Sequence, residues 1–142
     1  MSERPGVTRV DRTAVVADGA SKPAGPYSHA VRSGDLLFIS GQGPFDNQGA
    51  LVGTTFAEHL RSVFDNLAII ARAAGGDIND IVRLGAYLED YSNFQEYNAF
   101  MGEYLRPPYP ARTTIPVPTL GIPIELDAVI AMPPRATQPP TA

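Results

Sequence analysis

Apolar residues recur every three or four positions in two segments of the chain, and each segment predicts an amphipathic helix. The first helix begins with a capping box at Thr55–Glu58 and ends at Gly75-Gly76. The second begins with a capping box at Ser92–Gln95 and ends before Pro107-Pro108. The apolar face of the second helix is typical of packing against a core, and it consists of Phe94, Tyr97, Met101 and Tyr104.

Two extended runs, Tyr27–Ser33 and Leu36–Ser40, are separated by Gly34-Asp35 and therefore predict a β-hairpin. The second run opens with four consecutive apolar residues, Leu36–Ile39. A continuous apolar run is typical of a strand that is covered on both faces. We therefore expect this strand to be buried on both sides.

Two further strands are predicted later in the chain. The first is Ile81–Leu88, in which Gly85 indicates a bulge. The second is Ile124–Ile130, in which apolar and polar positions alternate. Because successive side chains of a strand point to opposite faces, Glu125 and Asp127 are expected to share the face away from the core.

The order of these elements predicts an α+β domain. A helix between two strands on each occasion favours right-handed crossovers, with both helices on one face of a mixed sheet. Two helices leave the opposite sheet face uncovered, which indicates an oligomer. Pro116 and Pro118 cannot donate to a ladder, so a strand there is expected to be shortened or at an edge. Residues 7–132 are the expected domain, between an N-terminal tail, 1–6, and a proline-rich C-terminal tail, 133–142.

Composition excludes several classes of function. The 142 residues suffice for one domain, and the formal net charge of −4 is the opposite of what a nucleic-acid surface requires. The absence of cysteine excludes disulfides and thiolate chemistry and suits a cytoplasmic protein. Neither His29 nor His59 has a second histidine at metal-ligand spacing, so no metal site is expected. No apolar run is long enough to span a membrane.

Candidate chemistry begins with Arg112, which follows Pro110 after the second predicted helix. Arginine is always charged, and its planar fork of donors matches a carboxylate, so this residue suits a small anionic substrate. Considered alone, an arginine at this position is interpreted as an ordinary surface residue, and the rest of the sequence is what changes that interpretation.

Seven short motifs together resemble the RidA family, also called YjgF/YER057c/UK114. Their order and spacing match that family from about residue 25 to residue 131. The motifs are Gly25-Pro26-Tyr27-Ser28, Ser40-Gly41-Gln42, Asp65-Asn66-Leu67, Ala73-Ala74-Gly75, Tyr97-Asn98, Pro110-Ala111-Arg112 and Ile124-Glu125-Leu126-Asp127-Ala128.

This resemblance implies a chorismate-mutase-like fold and a homotrimer with clefts between subunits. It implies an enamine/imine deaminase that hydrolyses products of the 2-aminoacrylate type to a 2-oxo acid and ammonia, without a cofactor. It also assigns the substrate carboxylate to Arg112 and identifies further residues of the cleft, namely Tyr27, Ser40, Gly41, Asn98, Thr114 and Glu125. Thr114 stands where the family often has cysteine, and Asp127 stands where glutamate is common.

Alternatives stay open at this stage. Glu125 could deprotonate water, orient it, or only form a salt bridge or face solvent. His29 is expected to be a partly exposed strand residue and His59 to flank the apolar stripe of the first helix. At the level of function, the chain could be a non-catalytic carboxylate-binding or regulatory relative. A ribonuclease or translation inhibitor is the weakest alternative, because the chain is acidic and lacks a histidine pair.

Overall fold

A six-stranded mixed sheet with two helices on one face forms the part of the chain that the computed structural model describes, residues 10–135. The sheet order is β1-β2-β3-β6-β4-β5, and only β4 and β5 pair in parallel. This confirms the predicted α+β class. The elements are β1 (Thr13–Val15), β2 (Ala30–Ser33), β3 (Leu36–Gln42), α1 (Phe56–Ala73), β4 (Ile81–Leu88), α2 (Phe94–Tyr104), β5 (Ala111–Pro116) and β6 (Ile124–Ala131).

Helix α1 forms where its stripe of apolar residues predicts it. The Thr55 hydroxyl accepts a hydrogen bond from the backbone N–H of Glu58 (3.2 Å), which caps the first turn. One side of the helix packs on β3, β6 and α2. That side is fully buried at its centre, where it contributes Leu60, Val63, Phe64, Leu67 and Ile70.

Strand β6 alternates as predicted, with Leu126 and Ala128 buried beneath the helices and Glu125 and Asp127 on the other face. Strand β3 also alternates, which corrects the prediction that it is covered on both sides. Leu37 and Ile39 are buried, whereas Leu36 and Phe38 are 40% and 46% exposed. Both helices lie on one face, so the apolar residues of the opposite face are uncovered in the single chain. We call that opposite face the open face.

The predicted hairpin is present as β2 and β3, and Gly34 supplies the left-handed turn conformation (φ 59°). Strand β2 starts only at Ala30, three residues later than predicted. The structure adds β1, which pairs with β2 at the edge of the sheet. Three residues are too few for a hydrophobic period, so this strand gave no sequence signal. At the other edge, β5 ends at Pro116, as the prolines predict.

Two local predictions are wrong. Ser92 does not cap α2: the Asp90 carboxylate accepts from the Ser92 N–H (2.9 Å), and a short 3₁₀ turn precedes the helix. Aspartate competes well for such N–H groups, so the turn starts two residues earlier than the capping box suggested. The irregularity in β4 lies at Val82, between Ile81 and Arg83, whereas Gly85 pairs regularly with Asp127.

The two ends of the described chain meet at one edge of the sheet. Arg32 donates to the carbonyl of Pro133 (2.8 Å), and Arg135 pairs with Asp11 (2.9 Å). The predicted tails, 1–6 and 133–142, lie largely outside the described residues, and the domain boundaries stay predictions. Within residues 10–135, no helix is both long and apolar enough to cross a membrane.

Candidate active site

Arg112 lies on edge strand β5 and faces α2. Its register partner on β4 is Leu84, which is fully buried under the helices, so the Arg112 side chain points to the helix face. The guanidinium carbon lies 4.8 Å from the ring centre of Tyr97 and 5.6 Å from that of Phe94. One N–H donates to the sulfur of Met101 (3.5 Å), which is a weak acceptor. Two aromatic rings and a thioether therefore form a floor under this cation.

The charge of Arg112 is not neutralised by this floor. Within residues 10–135 it forms no salt bridge with a carboxylate. The guanidinium lines a cleft of about 250 Å³, which we call the arginine cleft and which is lined by Asn98, Met101, Gly102, Tyr109, Pro110 and Arg112. A half-buried arginine that opens into a cleft without an internal partner is suited to an anionic ligand.

Two hydroxyl groups are buried behind Arg112, those of Tyr97 and Thr114, and neither makes a hydrogen bond of standard geometry to another of the described residues. Tyr97 is fully buried, and burial raises the pKa of its hydroxyl. The positive charge of Arg112 opposes that rise, and so do polar side-chain contacts of the Tyr97 hydroxyl with Thr114 and Arg112. The three polar groups therefore lie close together, although none of these contacts has the geometry of a full hydrogen bond. The prediction that Phe94, Tyr97 and Met101 form a core face is confirmed, because Tyr97 and Met101 belong to the buried core and Phe94 packs against it. Helical periodicity alone does not show that the same face also forms the floor of a cleft.

Glu125 lies in a second cleft of about 170 Å³, which we call the glutamate cleft. Tyr27, Gly41 and Gln42 line it as well. Strand β3 carries a bulge between Ile39 and Gln42, which places Gly41 against the Glu125 side chain. The carboxylate occupies the space that a Cβ atom at position 41 would fill, so only glycine allows this arrangement.

The surroundings of Glu125 favour its protonated form. Burial raises the pKa of the Glu125 carboxyl, and the negative charge of Asp127, two residues along the same strand, raises it further. Asp127 is held by the hydroxyl of Tyr87, which donates to it (2.8 Å). Within residues 10–135, Glu125 has no cationic partner. A carboxylate with a raised pKa is a better proton acceptor than an ordinary surface glutamate.

The hydroxyl groups of Tyr27 and Ser40 both form hydrogen bonds within the chain. The Tyr27 hydroxyl accepts from the backbone N–H of Ala24 (2.9 Å), and the Ser40 hydroxyl donates to the carbonyl of Ser28 (2.6 Å). Tyr27 lines the glutamate cleft, and Ser40 is the residue before Gly41 in the bulge. These contacts fix the loop that borders the glutamate cleft.

The seven candidate residues fall into two groups in one chain. Asn98, Arg112 and Thr114 belong to the helix face, whereas Glu125 shares the open face with Tyr87, its register partner. Strand β4 lies between the strands that carry Arg112 and Glu125. Asn98 and Arg112 therefore line one cleft, and Tyr27, Gly41 and Glu125 line another on the opposite face of the sheet.

Both histidines are structural, and the expectation of a partly exposed His29 is wrong. His29 is 4% exposed; its Nδ1 accepts from the Ala17 N–H (3.0 Å), and its Nε2 contacts the Ser21 carbonyl (2.6 Å). It is buried because both of its ring nitrogens contact backbone groups of the loop between β1 and β2. His59 contacts the carbonyl of Gly53 (3.1 Å). Among residues 10–135, no three His, Cys, Asp or Glu side chains cluster as metal ligands do.

Comparison with known proteins places this chain and its fold in one family. The model of the family described as Endoribonuclease L-PSP matches residues 18–132. A RutC family protein of Pyrococcus horikoshii is 36% identical over 118 residues, which cover 81% of this chain and 94% of that protein. A 2-iminobutanoate/2-iminopropanoate deaminase of Dermatophagoides farinae is 28% identical over 116 residues, 80% of this chain and 91% of that protein.

Solved structures agree with the sequence relatives. The crystal structure of RidA from the Antarctic bacterium Psychrobacter sp. PAMC 21119 superposes with a TM-score of 0.80 at 33% identity, over 84% of this chain and 99% of that one. The crystal structure of yeast YEO7 gives a TM-score of 0.83 at 29% identity, over 87% of this chain and all of the other. The chain therefore belongs to the endoribonuclease L-PSP family, the family of RidA and YjgF.

Proposed function

We propose that this protein hydrolyses 2-imino acids, and the enamines that tautomerise to them, to 2-oxo acids and ammonia. The observation that carries the proposal is Arg112, an unneutralised guanidinium above an aromatic floor at an open cleft. A substrate carboxylate is the anion that this fork binds best at two points. The name of the Dermatophagoides relative supports the same reaction.

The complete site requires two copies of the chain, in the proposal. Arg112 and Glu125 line clefts on opposite faces of the sheet, so one chain cannot bring both to the same small substrate. We propose a homotrimer in which the arginine cleft of one subunit meets the glutamate cleft of the next. The uncovered apolar side chains of the open face support subunit association.

The chemistry follows from the electrophilic carbon of the substrate. Arg112 holds the carboxylate and thereby fixes the C=N carbon near a bound water. Glu125 takes a proton from that water as its oxygen adds to the carbon. In the tetrahedral adduct the nitrogen receives that proton back from Glu125, and Glu125 then carries a second proton from the new hydroxyl group to the nitrogen. The nitrogen leaves as ammonia, and a C=O bond replaces the C=N bond. The reaction consumes one water and requires no cofactor.

The remaining candidate residues shape the cleft in this proposal. Gly41 allows the ligand and Glu125 to lie close to the backbone, and Tyr27 forms a wall beside them. Asn98 supplies an amide at the rim of the arginine cleft, and Thr114 takes the position beside Arg112. Ser40 holds the bulge by its bond to Ser28.

A trimer is expected in solution, with three times the mass of the chain in sedimentation equilibrium. Phe38→Asp should lower that mass, because it places a charge on the open face, where Phe38 is 46% exposed in the single chain. Leu51→Asp is the matched control: Leu51 is 52% exposed but lies in the loop before α1, so the mass should not change. A wild-type protein that is monomeric at micromolar concentration contradicts the proposal.

Gly41→Ala is expected to remove most activity without destabilising the fold. The new methyl group collides with the end of the flexible Glu125 side chain, which can swing away at little cost. Gly19→Ala is the control, because its methyl group would make only an ordinary contact with Ile69. Imine hydrolysis and thermal melting are measured for both. Full activity of Gly41→Ala would show that the position of Glu125 does not matter.

The proposed reaction is tested by a coupled assay. Imines are generated enzymatically from several amino acids, and 2-oxo acid release is followed with and without the protein. Faster release supports the deaminase and reports which side chains fit. A protein that binds 2-oxo acids without accelerating release is instead a carboxylate-binding relative.

A further inference from the structure

The two buried hydroxyls behind Arg112 lie close to it and to each other, but neither makes a hydrogen bond of standard geometry within residues 10–135 of the single chain. The hydroxyl oxygens of both Tyr97 and Thr114 are inaccessible to solvent. A buried polar group without a partner destabilises a folded protein, and a phenylalanine at position 97 would fill nearly the same space without that cost. We therefore expect these hydroxyl groups to form their hydrogen bonds in the ligand-bound protein.

Arg112 has donors that can supply the missing partner. A guanidinium carries five N–H groups, and in the free protein one of them contacts only the weakly accepting sulfur of Met101. The guanidinium lies 4.8 Å above the Tyr97 ring centre. The side of the guanidinium that faces Tyr97 can offer N–H groups to the tyrosine oxygen, while the opposite edge faces the cleft.

We propose that Tyr97 is a positioning residue for Arg112. When a carboxylate binds the outer edge of the guanidinium, the Tyr97 hydroxyl accepts an N–H from the inner edge and donates its own proton to the Thr114 oxygen. The two hydroxyls then fix the plane of the fork so that both outer N–H groups reach the ligand. The inference rests on the proposed function only in taking a carboxylate as the ligand of Arg112.

A second tyrosine on the same helix provides the contrast. Tyr104 lies two turns after Tyr97, and its hydroxyl already donates to Asp65 on α1 (2.8 Å). That bond joins the two helices and does not involve Arg112. Tyr104→Phe therefore removes a structural hydrogen bond, whereas Tyr97→Phe removes a hydroxyl that makes no hydrogen bond of standard geometry among residues 10–135 of the single chain.

The test measures ligand affinity and thermal stability in the same variants. Pyruvate, a simple 2-oxo acid, is titrated into full-length wild type, Tyr97→Phe, Thr114→Val and Tyr104→Phe by calorimetry, and each protein is melted without ligand. Tyr97→Phe is expected to weaken pyruvate binding about tenfold, as loss of a hydrogen bond to a charged group does, with an unchanged or higher Tm. Thr114→Val should weaken binding in the same direction. Tyr104→Phe should lower the Tm and leave the affinity unchanged.

Steady-state kinetics separates positioning from a general structural role. The KM for the imine should rise in Tyr97→Phe while kcat changes little, because the hydroxyl acts on the carboxylate clamp and not on the reacting carbon. Wild-type affinity in Tyr97→Phe overturns the inference, and so does a wild type that does not bind pyruvate. Pyruvate binding that depends on Tyr97 in a protein without imine hydrolysis would refute the deaminase and support the inference.

Discussion

Arg112→Ala is expected to lower kcat/KM for imine hydrolysis by roughly 30- to several-thousand-fold, which corresponds to the 2–5 kcal/mol lost with one partner of a desolvated charge pair. The loss is large because no other cation lines the arginine cleft among the residues described. Arg112→Lys should also lower kcat/KM strongly, because an ammonium group keeps the charge but cannot bind a carboxylate at two points. The kcat/KM of both variants is measured from the steady-state rate of 2-oxo acid release.

The fold should survive both changes. Arg112 lies on an edge strand and contacts the rings of Phe94 and Tyr97 without a salt bridge to any described carboxylate. Circular dichroism and sedimentation should therefore match the wild type. Loss of activity together with loss of folding would instead make Arg112 a structural residue.

The second large effect is expected for Glu125→Gln, which keeps the size of the side chain and removes the proton acceptor. General base catalysis contributes about 10²- to 10⁴-fold, so kcat should fall within that range while KM changes little. The measurement is kcat at saturating substrate. A loss below about tenfold would mean that Glu125 only orients water.

The pH profile provides an independent check on Glu125. The carboxylate must be ionised to accept a proton, so activity falls as the pH drops through its pKa. Burial and the charge of Asp127 raise that pKa, so the fall should begin at a higher pH than for an ordinary glutamate. Asp127→Asn removes the negative charge, lowers the pKa of Glu125 and moves the fall to lower pH. Glu125→Gln should abolish the fall in activity at low pH. If the residual activity of that variant still fell at the same pH, the titration would belong to another group.

Local signals predicted those parts of the fold that depend on one segment alone. Apolar residues recur with a period of about 3.6 in α1 and alternate with polar residues in β6. These patterns are sufficient to predict the helix and the strand, because each element buries one face. The exposure of Leu36 and Phe38 in the single chain could not be predicted, because it depends on what covers the open face and not on the strand itself. The start of α2 was missed for a different reason: Asp90 competes with Ser92 for the first free N–H groups.

The candidate site was only partly accessible from the sequence. The spacing of the motifs identifies Arg112 and Glu125 as candidates. The sequence alone does not indicate that these two residues lie on opposite faces of the sheet. Tyr97 was assigned to the core because it shares a helical face with Met101. Its proposed role in positioning Arg112 can be inferred only from the structure. It depends on the position of the Arg112 guanidinium over the Tyr97 ring and on the buried Tyr97 hydroxyl, which makes no hydrogen bond of standard geometry to another of the described residues.

The most direct measurement of the central claim compares wild type with folded Arg112→Ala in 2-oxo acid release from enzymatically generated 2-iminopropanoate. Spontaneous hydrolysis without protein is the baseline. Wild type should release the 2-oxo acid well above that baseline, and Arg112→Ala should fall close to it. Equal release by the two proteins, or release by the wild type no faster than the baseline, would contradict the assignment of this cleft to imine hydrolysis.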